Sequence, residues 1–393
     1  MTKRSDRGGP TPVQTSPNTP ARRAFLRGTT AALAGGLIAG RGLSDAPAVA
    51  LAAATDARPL TETEKLSRIA TNTYPHRTLF KQRARAGGMA GGANVAAAQE
   101  RAAAMRKKYG ELTLLDYPQW TRDNFAGVWH MDLWSSLFGD VTDDSMYAQT
   151  QVTIGGGQSR SVFEFDPSLP SAKKWLDQLA NNSAKTGVLI HHVSNNAPRN
   201  ISVLDAAERR EGVAVAKKWL DGCAQVGAKS MRVNTGGPRI VPSASATTGY
   251  PRNDEIVKYL ANAIESFKEM ADYGGKVGVK VTLENHWGLS AYPTNMRIIL
   301  DEVNHPYCEA SPDFCNWEHE YLLYHGLEAV MPYTHTTVHA KYWDRWQNVD
   351  LQRCVRILNH AGYKGIIALE YEDGPWDGVE GSRHLLAEIL KAL

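Results

Sequence analysis

The chain has 393 residues, 42% of them hydrophobic and 22% charged, with a formal net charge of +3. That is globular composition, long enough for one large barrel or two smaller domains, and it excludes a disordered or fibrous chain. The near-neutral balance removes the electrostatic case for a nucleic-acid or membrane-surface partner, and it suits a small polar substrate better than a polyanion.

Residues 1–56 read as an address. Paired Arg22 and Arg23 precede Phe25-Leu26, and a thirteen-residue Gly-rich apolar run, GTTAALAGGLIAG, follows Arg27. That run is too short for a stable membrane anchor. Ala48-Val49-Ala50 and Ala52-Ala53-Ala54 fit A-x-A cleavage sites. The order matches a twin-arginine export signal, which implies passage through the twin-arginine machinery and a periplasmic or extracellular location. A disordered Arg-rich tail is the alternative. Lys3, Arg4, Arg7, Arg22, Arg23, Arg27 and Arg41 all lie in this segment, so the remainder is close to neutral.

Residues 57–110 read as a helical arm wrapping the outside of the fold, opened by a capped helix in which Glu64 stands three residues after Thr61. From residue 111 to 393 strand-like and helix-like stretches alternate. Eight strands are expected: ELTLLDY, GVWHMDLW, GVLIHHV, KSMRVN, VKVTLEN, the run ending at Asp313, TTVHAKYW and GIIALEYE. Helical patterns lie between them, several closed by glycines such as Gly227, Gly278 and Gly362. Such alternation predicts an α/β fold, a closed (β/α)8 TIM barrel, ahead of an open doubly wound sheet. No GxGxxG turn follows an early strand. Two connections, about Ser135 to Pro170 and GGPRIVPSASATTGYP, are longer than a barrel needs and read as lids or substrate walls.

Glu284, Asp313, His339 and Glu370 recur at intervals of 29, 26 and 31 positions, each closing an apolar run. An interval near thirty is one βα unit, and barrel strand ends share one face. Three carboxylates and an imidazole at one spot make a divalent-metal site for Mn²⁺, Mg²⁺, Co²⁺ or Zn²⁺. His286 shares the inward face with Glu284. Arg232 closes the fourth predicted strand, and Asp132 and Trp134 close the second, as a hydroxyl acceptor and an aromatic wall. Of His191 and His192, alternation lets one point inward, with His192 the substrate-side candidate. Trp129, Trp287, Trp317 and Trp343 also lie near strand ends, as sugar-stacking or core residues. The four cysteines, Cys223, Cys308, Cys315 and Cys354, are not a disulfide scaffold; a Cys308–Cys315 bridge and two separate thiols both remain open.

The motifs LENHWG, SPDFCNW, TVHAKYWD and ALEYEDG, in this order, resemble the xylose isomerase-like barrel family, and together with the leader they look like its secreted sugar phosphate isomerase/epimerase-like subgroup. The resemblance covers residues 111–393. It implies metal ligation by Glu284, Asp313, His339 and Glu370, with Mn²⁺ as the expected metal, and acid/base roles for Glu284 and Glu370. It implies a substrate contact from Arg345, six residues after His339; Lys341, two residues after His339, is a further substrate-side candidate. It implies homo-oligomeric pairing through the outer faces. The expected reaction is proton abstraction beside a carbonyl of a carbohydrate or glycoside through an enediolate, giving isomerisation or epimerisation. β-Elimination from an oxidised (3-keto) glycoside and inosose-type dehydration use the same groups. An endonuclease IV-like nuclease and a non-catalytic sugar-binding barrel are the remaining readings. One departure stands out: where ketose epimerases of the family carry a histidine, three residues after the metal aspartate, this chain has Asn316, which cannot titrate near neutral pH.

Overall fold

The structure is a computed structural model that describes residues 58–81, 94–154, 158–237, 253–286, 288–346 and 349–393. The export-type leader, Trp287 and most of the GGPRIVPSASATTGYP connection lie outside the described residues.

Eight parallel strands form one sheet: β1 (Ile69–Asn72), β2 (His130–Trp134), β5 (Leu189–Ser194), β6 (Ser230–Arg232), β7 (Lys280–Leu283), β8 (Cys308–Ala310), β9 (Thr337–Trp343) and β10 (Ile366–Asp373). Their order is β8-β7-β6-β5-β2-β1-β10-β9. The two ends of that order meet where Asp313 bridges His339: the His339 N–H donates to the Pro312 carbonyl at 2.9 Å and the Phe314 N–H to the His339 carbonyl at 3.1 Å. The sheet therefore curls into a barrel, with eight parallel strands as expected.

The helices follow their sequence signals. The helix α4 (Pro170–Thr186) opens on proline and ends at Gly187, whose φ of +72° is the left-handed conformation glycine adopts without strain. The helix α5 (Ala206–Gln225) starts where the Asp205 carboxylate accepts from the Ala207 and Glu208 N–H groups. The predicted cap at Thr61 is present as a reciprocal pair with Glu64. Gly227, Gly278 and Gly362 all take positive φ after helices, as expected.

One strand differs from expectation. Residues 57–110 do not form only an outer arm, because Ile69–Asn72 pairs in parallel with both β10 and β2 and is the first barrel strand. The ELTLLDY stretch is not a barrel strand; Leu112 makes one isolated bridge with Phe80, and the helix α3 (Tyr117–Asn124) begins where the stretch ends. Pro118 sits in that helix's first turn, and the Asp116 carboxylate accepts from Thr113, so the chain turns there instead of extending.

The long connection after β2 holds an antiparallel hairpin, β3 (Tyr147–Ile154) and β4 (Gln158–Phe165). Its base packs into the core through Phe165, whose ring lies 5.5 Å from Trp175 and 5.7 Å from Trp219. The four cysteines are free thiols, so Cys308 and Cys315 are not bridged.

Candidate metal centre at the barrel mouth

Glu284 lies one residue past β7, Asp313 beyond β8, His339 within β9 and Glu370 within β10. All four are buried at the same end of the barrel. Glu284, Asp313 and His339 each offer a ligand atom within 4.8 Å of the others, and Glu370 Oε2 lies 3.9 Å from His339 Nδ1. The predicted quartet is thus brought to one spot.

The partners of each group separate them into two kinds. Glu284 is pinned: Arg232 Nη1 donates to Oε2 at 2.9 Å and Asn316 Nδ2 to Oε1 at 3.0 Å. Arg232 is itself held by the Asn195 carbonyl at 3.2 Å and Asn196 Oδ1 at 2.8 Å. Asp313 Oδ1 accepts from the Cys315 and Asn316 N–H groups. By contrast, Asp313 Oδ2, Glu370 Oε2 and both His339 ring nitrogens have no hydrogen-bond partner among the described residues. Glu284 Oε2 lies 3.0 Å from His339 Nδ1 and Asp132 Oδ2 2.9 Å from Nε2, two close ionic contacts. Buried polar atoms are seldom left unpartnered without a role. Asp313 Oδ2, Glu370 Oε2 and His339 Nδ1 converge with Glu284, while Nε2 faces Asp132, and three carboxylates plus an imidazole fit a divalent cation.

Charge is arranged to match. Burial alone would raise the Glu284 pKa, but Arg232 and His339 hold it well below the usual range. Burial would lower His339, but Glu284 and Asp132 raise it well above its ordinary value. Asp313 goes the other way: burial pushes it up to about 7, with Lys341 opposing and Glu370 and Glu284 reinforcing the rise. Lys341 is buried, and its ammonium lies 3.2 Å from Asp313 Oδ2, 3.0 Å from Glu370 Oε1 and 3.1 Å from Glu372 Oε2. It also donates to Asn316 Oδ1 at 3.2 Å.

The other predicted residues spread around this centre. His286 is half-buried, its backbone N–H donating to Ser290 Oγ at 3.3 Å, and desolvation of the ring, aided by Arg232, lowers its pKa to about 3. His192 packs its ring 5.3 Å from that of His339 and pairs Nδ1 with Ser230 Oγ at 2.7 Å. Alternation does not separate it from His191. A bulge sets Met131 opposite Ile190 but Asp132 opposite His192, and His191 reaches the Thr336 carbonyl at 3.2 Å. Trp134 is half-buried, edge-on to Tyr74 at 5.1 Å. Arg345 is not among the carboxylates. It is exposed, stacked 4.2 Å from Trp346 and 5.0 Å from Trp343, with Nη2 donating to the Glu318 carbonyl at 3.2 Å.

Some residues of the centre were not predicted. Asn72 and Tyr74 come from the segment expected to be an outer arm. Asn72 Nδ2 donates to Asp132 Oδ2 at 2.8 Å, and Tyr74 Oη to Glu372 Oε1 at 2.7 Å. Asp132 is fully buried and also accepts from Ser194, so it faces His339 instead of an open substrate space. Glu372 stands two residues after Glu370 on one strand, a spacing that places both on one face and that marks it in the sequence.

A family model described as the xylose isomerase-like TIM barrel matches residues 156–392. The chain belongs to that family. Among solved structures it is similar to 3-keto-D-glucoside 4-epimerase from E. coli, at 13% identity and TM-score 0.53, covering 83% of this chain and 99% of that one. It is similar to an L-ribulose 3-epimerase at 13% identity and TM-score 0.51, covering 83% and 95%. A xylose isomerase-like barrel protein from Mycobacterium smegmatis in complex with magnesium matches at 15% identity and TM-score 0.50, covering 84% and 99%. At these identities the likeness is one of fold. No curated protein sequence matches the chain.

Proposed function

We propose that this chain is a divalent-metal-dependent carbohydrate isomerase or epimerase that moves a proton beside a carbonyl. The observation that carries this reading is the convergence of buried ligand atoms on Asp313, His339 and Glu370, left without a hydrogen bond, with Glu284 at the mouth of the barrel. Family membership and epimerases among the similar folds support it. A divalent cation held by Glu284, Asp313, His339 and Glu370 would polarise a carbonyl and its neighbouring hydroxyl, making the C–H between them more acidic. Mn²⁺ is our first choice, with Mg²⁺, Co²⁺ and Zn²⁺ compatible with the same donors.

The two glutamates are not equivalent. Both Glu284 oxygens already accept hydrogen bonds, one of them from a guanidinium, which makes it a weak base. Glu370 keeps Oε2 without a partner and is assigned as the group that takes the proton. Asn316 and Lys341 are assigned to hold substrate oxygens around it, with Arg232 behind Glu284. This asymmetry also favours a second reading, β-elimination from a 3-keto glycoside. Epimerisation needs a proton returned from the opposite face, whereas elimination needs one base beside the carbonyl and a departing group. Asn316, which holds Glu284 and cannot titrate, points the same way.

The test is C–H exchange in D₂O with a sugar panel and 3-keto glycosides, on wild type and on Glu370→Gln and Glu284→Gln. Loss of exchange by about 10²–10⁴-fold in Glu370→Gln, with sugar binding retained, is expected. Undiminished exchange in that variant would overturn the assignment. We further propose that Arg22 and Arg23 direct export by the twin-arginine route, checked by fractionating cells that express an Arg22→Lys, Arg23→Lys variant.

A further inference from the structure

Exposed aromatic rings collect on one side of the barrel mouth. Tyr321 is 70% exposed, and its ring stacks on that of exposed His319, with centroids 5.3 Å apart and planes 13° apart. Half-buried Tyr292 meets His319 edge-on at 6.2 Å. These residues sit on the connections that leave β7 and β8, at the end of the barrel where Glu284 and Asp313 lie. Scattered single apolar residues on a surface need no explanation, but contiguous rings beside a site do.

The segment bearing these rings is held in place. It starts at Asn316, whose side chain reaches Glu284. The Glu318 N–H donates to the Ala291 carbonyl at 3.2 Å, next to Tyr292. Arg345 bonds the Glu318 carbonyl while stacked on Trp346, and Trp346 Nε1 donates to the Cys315 carbonyl at 2.7 Å. Arg345 therefore serves as a prop beneath this segment. The platform begins three residues from Asn316 and Tyr321 is five away, so it lies within about 18 Å of that residue even if the chain is fully extended.

We infer that Tyr321 and His319 form a stacking subsite for a second sugar ring, linked glycosidically to the ring that enters the barrel. This rests on the carbohydrate reading of the centre. An aromatic face presents an apolar surface that matches the C–H face of a pyranose, while the phenol and imidazole edges can meet its hydroxyls. The substrate class that follows is a glycoside of at least two rings, in preference to a free monosaccharide.

The experiment compares cellobiose with methyl β-glucoside, by saturation-transfer NMR titration on the Mg²⁺-supplemented protein. Wild type is expected to bind cellobiose about tenfold more tightly, the ratio that one good ring stack supplies. Tyr321→Ala and, separately, His319→Ala should abolish that difference while leaving methyl glucoside binding unchanged. Cellobiose binding no tighter than methyl glucoside, or an advantage that survives Tyr321→Ala, would overturn the subsite. A change in oligomeric state on Tyr321→Ala, seen by size-exclusion, would assign the rings to a contact between copies and overturn it too. If the cellobiose advantage is present but no C–H exchange occurs with any sugar, the subsite stands and the catalytic reading fails.

Discussion

Metal binding at this centre should release protons in a number that depends on pH. The structure places His339 between Glu284 and Asp132, which raise its pKa well above the ordinary value, so the metal-free ring is cationic across neutral pH. Ligation requires the neutral ring, which costs one proton. Asp313, raised to about 7 by burial, is mostly protonated at pH 6 and mostly ionised at pH 8, and must also ionise to bind. The expected release is therefore more than one proton below neutral pH, falling toward one as pH rises past Asp313's own titration. Titration calorimetry with Mn²⁺ in two buffers of different ionisation enthalpy reads this number directly. A release near zero at both pH values would mean that His339 is neutral beforehand, and would refute the electrostatic account. A release rising with pH would refute the sign for Asp313.

Asp132→Asn should weaken Mn²⁺ binding about 10–100-fold, because the carboxylate beside His339 Nε2 orients the ring and raises its basicity. Calorimetric affinity equal to wild type would remove Asp132 from that role. Lys341→Met should lower the stability of the metal-free protein by about 3–5 kcal/mol, since it strips the cation from buried Asp313, Glu370 and Glu372. Saturating Mn²⁺ should narrow that deficit in chemical denaturation, and a deficit indifferent to metal would count against the reading. His76 is buried between Tyr117 Oη at 2.9 Å and Ser382 Oγ at 3.1 Å, and burial lowers its pKa from 6.5 to about 3. The unfolded chain then binds more protons between those two values, so stability falls as pH drops through 6.5. The stability gap between wild type and His76→Asn should narrow by about 2 kcal/mol from pH 7 to pH 5, and a constant gap would contradict it.

What was legible in the sequence, and what was not, has physical reasons. Glu284, Asp313, His339 and Glu370 could be placed because each closes a buried run, and the βα period sets all four at the same end of the barrel. Ile69–Asn72 could not. It is four residues long and buried throughout, so it shows no alternation, and its two neighbours are β10 and β2, one of them from the far end of the chain. The Leu-rich ELTLLDY stretch carried a stronger strand pattern, and its apolar residues fill the core from a turn and a helix start. Asp132 was visible as a strand-end acid, but its partner, His339, lies on a strand that periodicity within β2 cannot reveal. The bulge that turns His191 and His192 out of simple alternation leaves no local mark either.

The charge inventory of the mouth explains why Lys341 and Arg232 are needed at all. Five carboxylates, Asp132, Glu284, Asp313, Glu370 and Glu372, face three cationic groups, Arg232, His339 and Lys341. With His339 neutral, as ligation requires, the five carboxylates face two cations, and a divalent cation reduces that excess of three negative charges to one. Without that cation Asp313 is the carboxyl whose pKa rises toward neutrality, through burial first and through Glu370 and Glu284 next. The two permanent cations are not shared evenly: Arg232 takes Glu284, and Lys341 sits against the far oxygen of Glu370. Glu284 is thereby fixed as an anchor with both oxygens engaged, while Glu370 has one oxygen against Lys341 and the other directed to the centre. A symmetrical pair of bases on opposite faces of a sugar carbon would require Glu284 to give up Arg232 or Asn316 in each turnover. Chemistry that asks for one base does not.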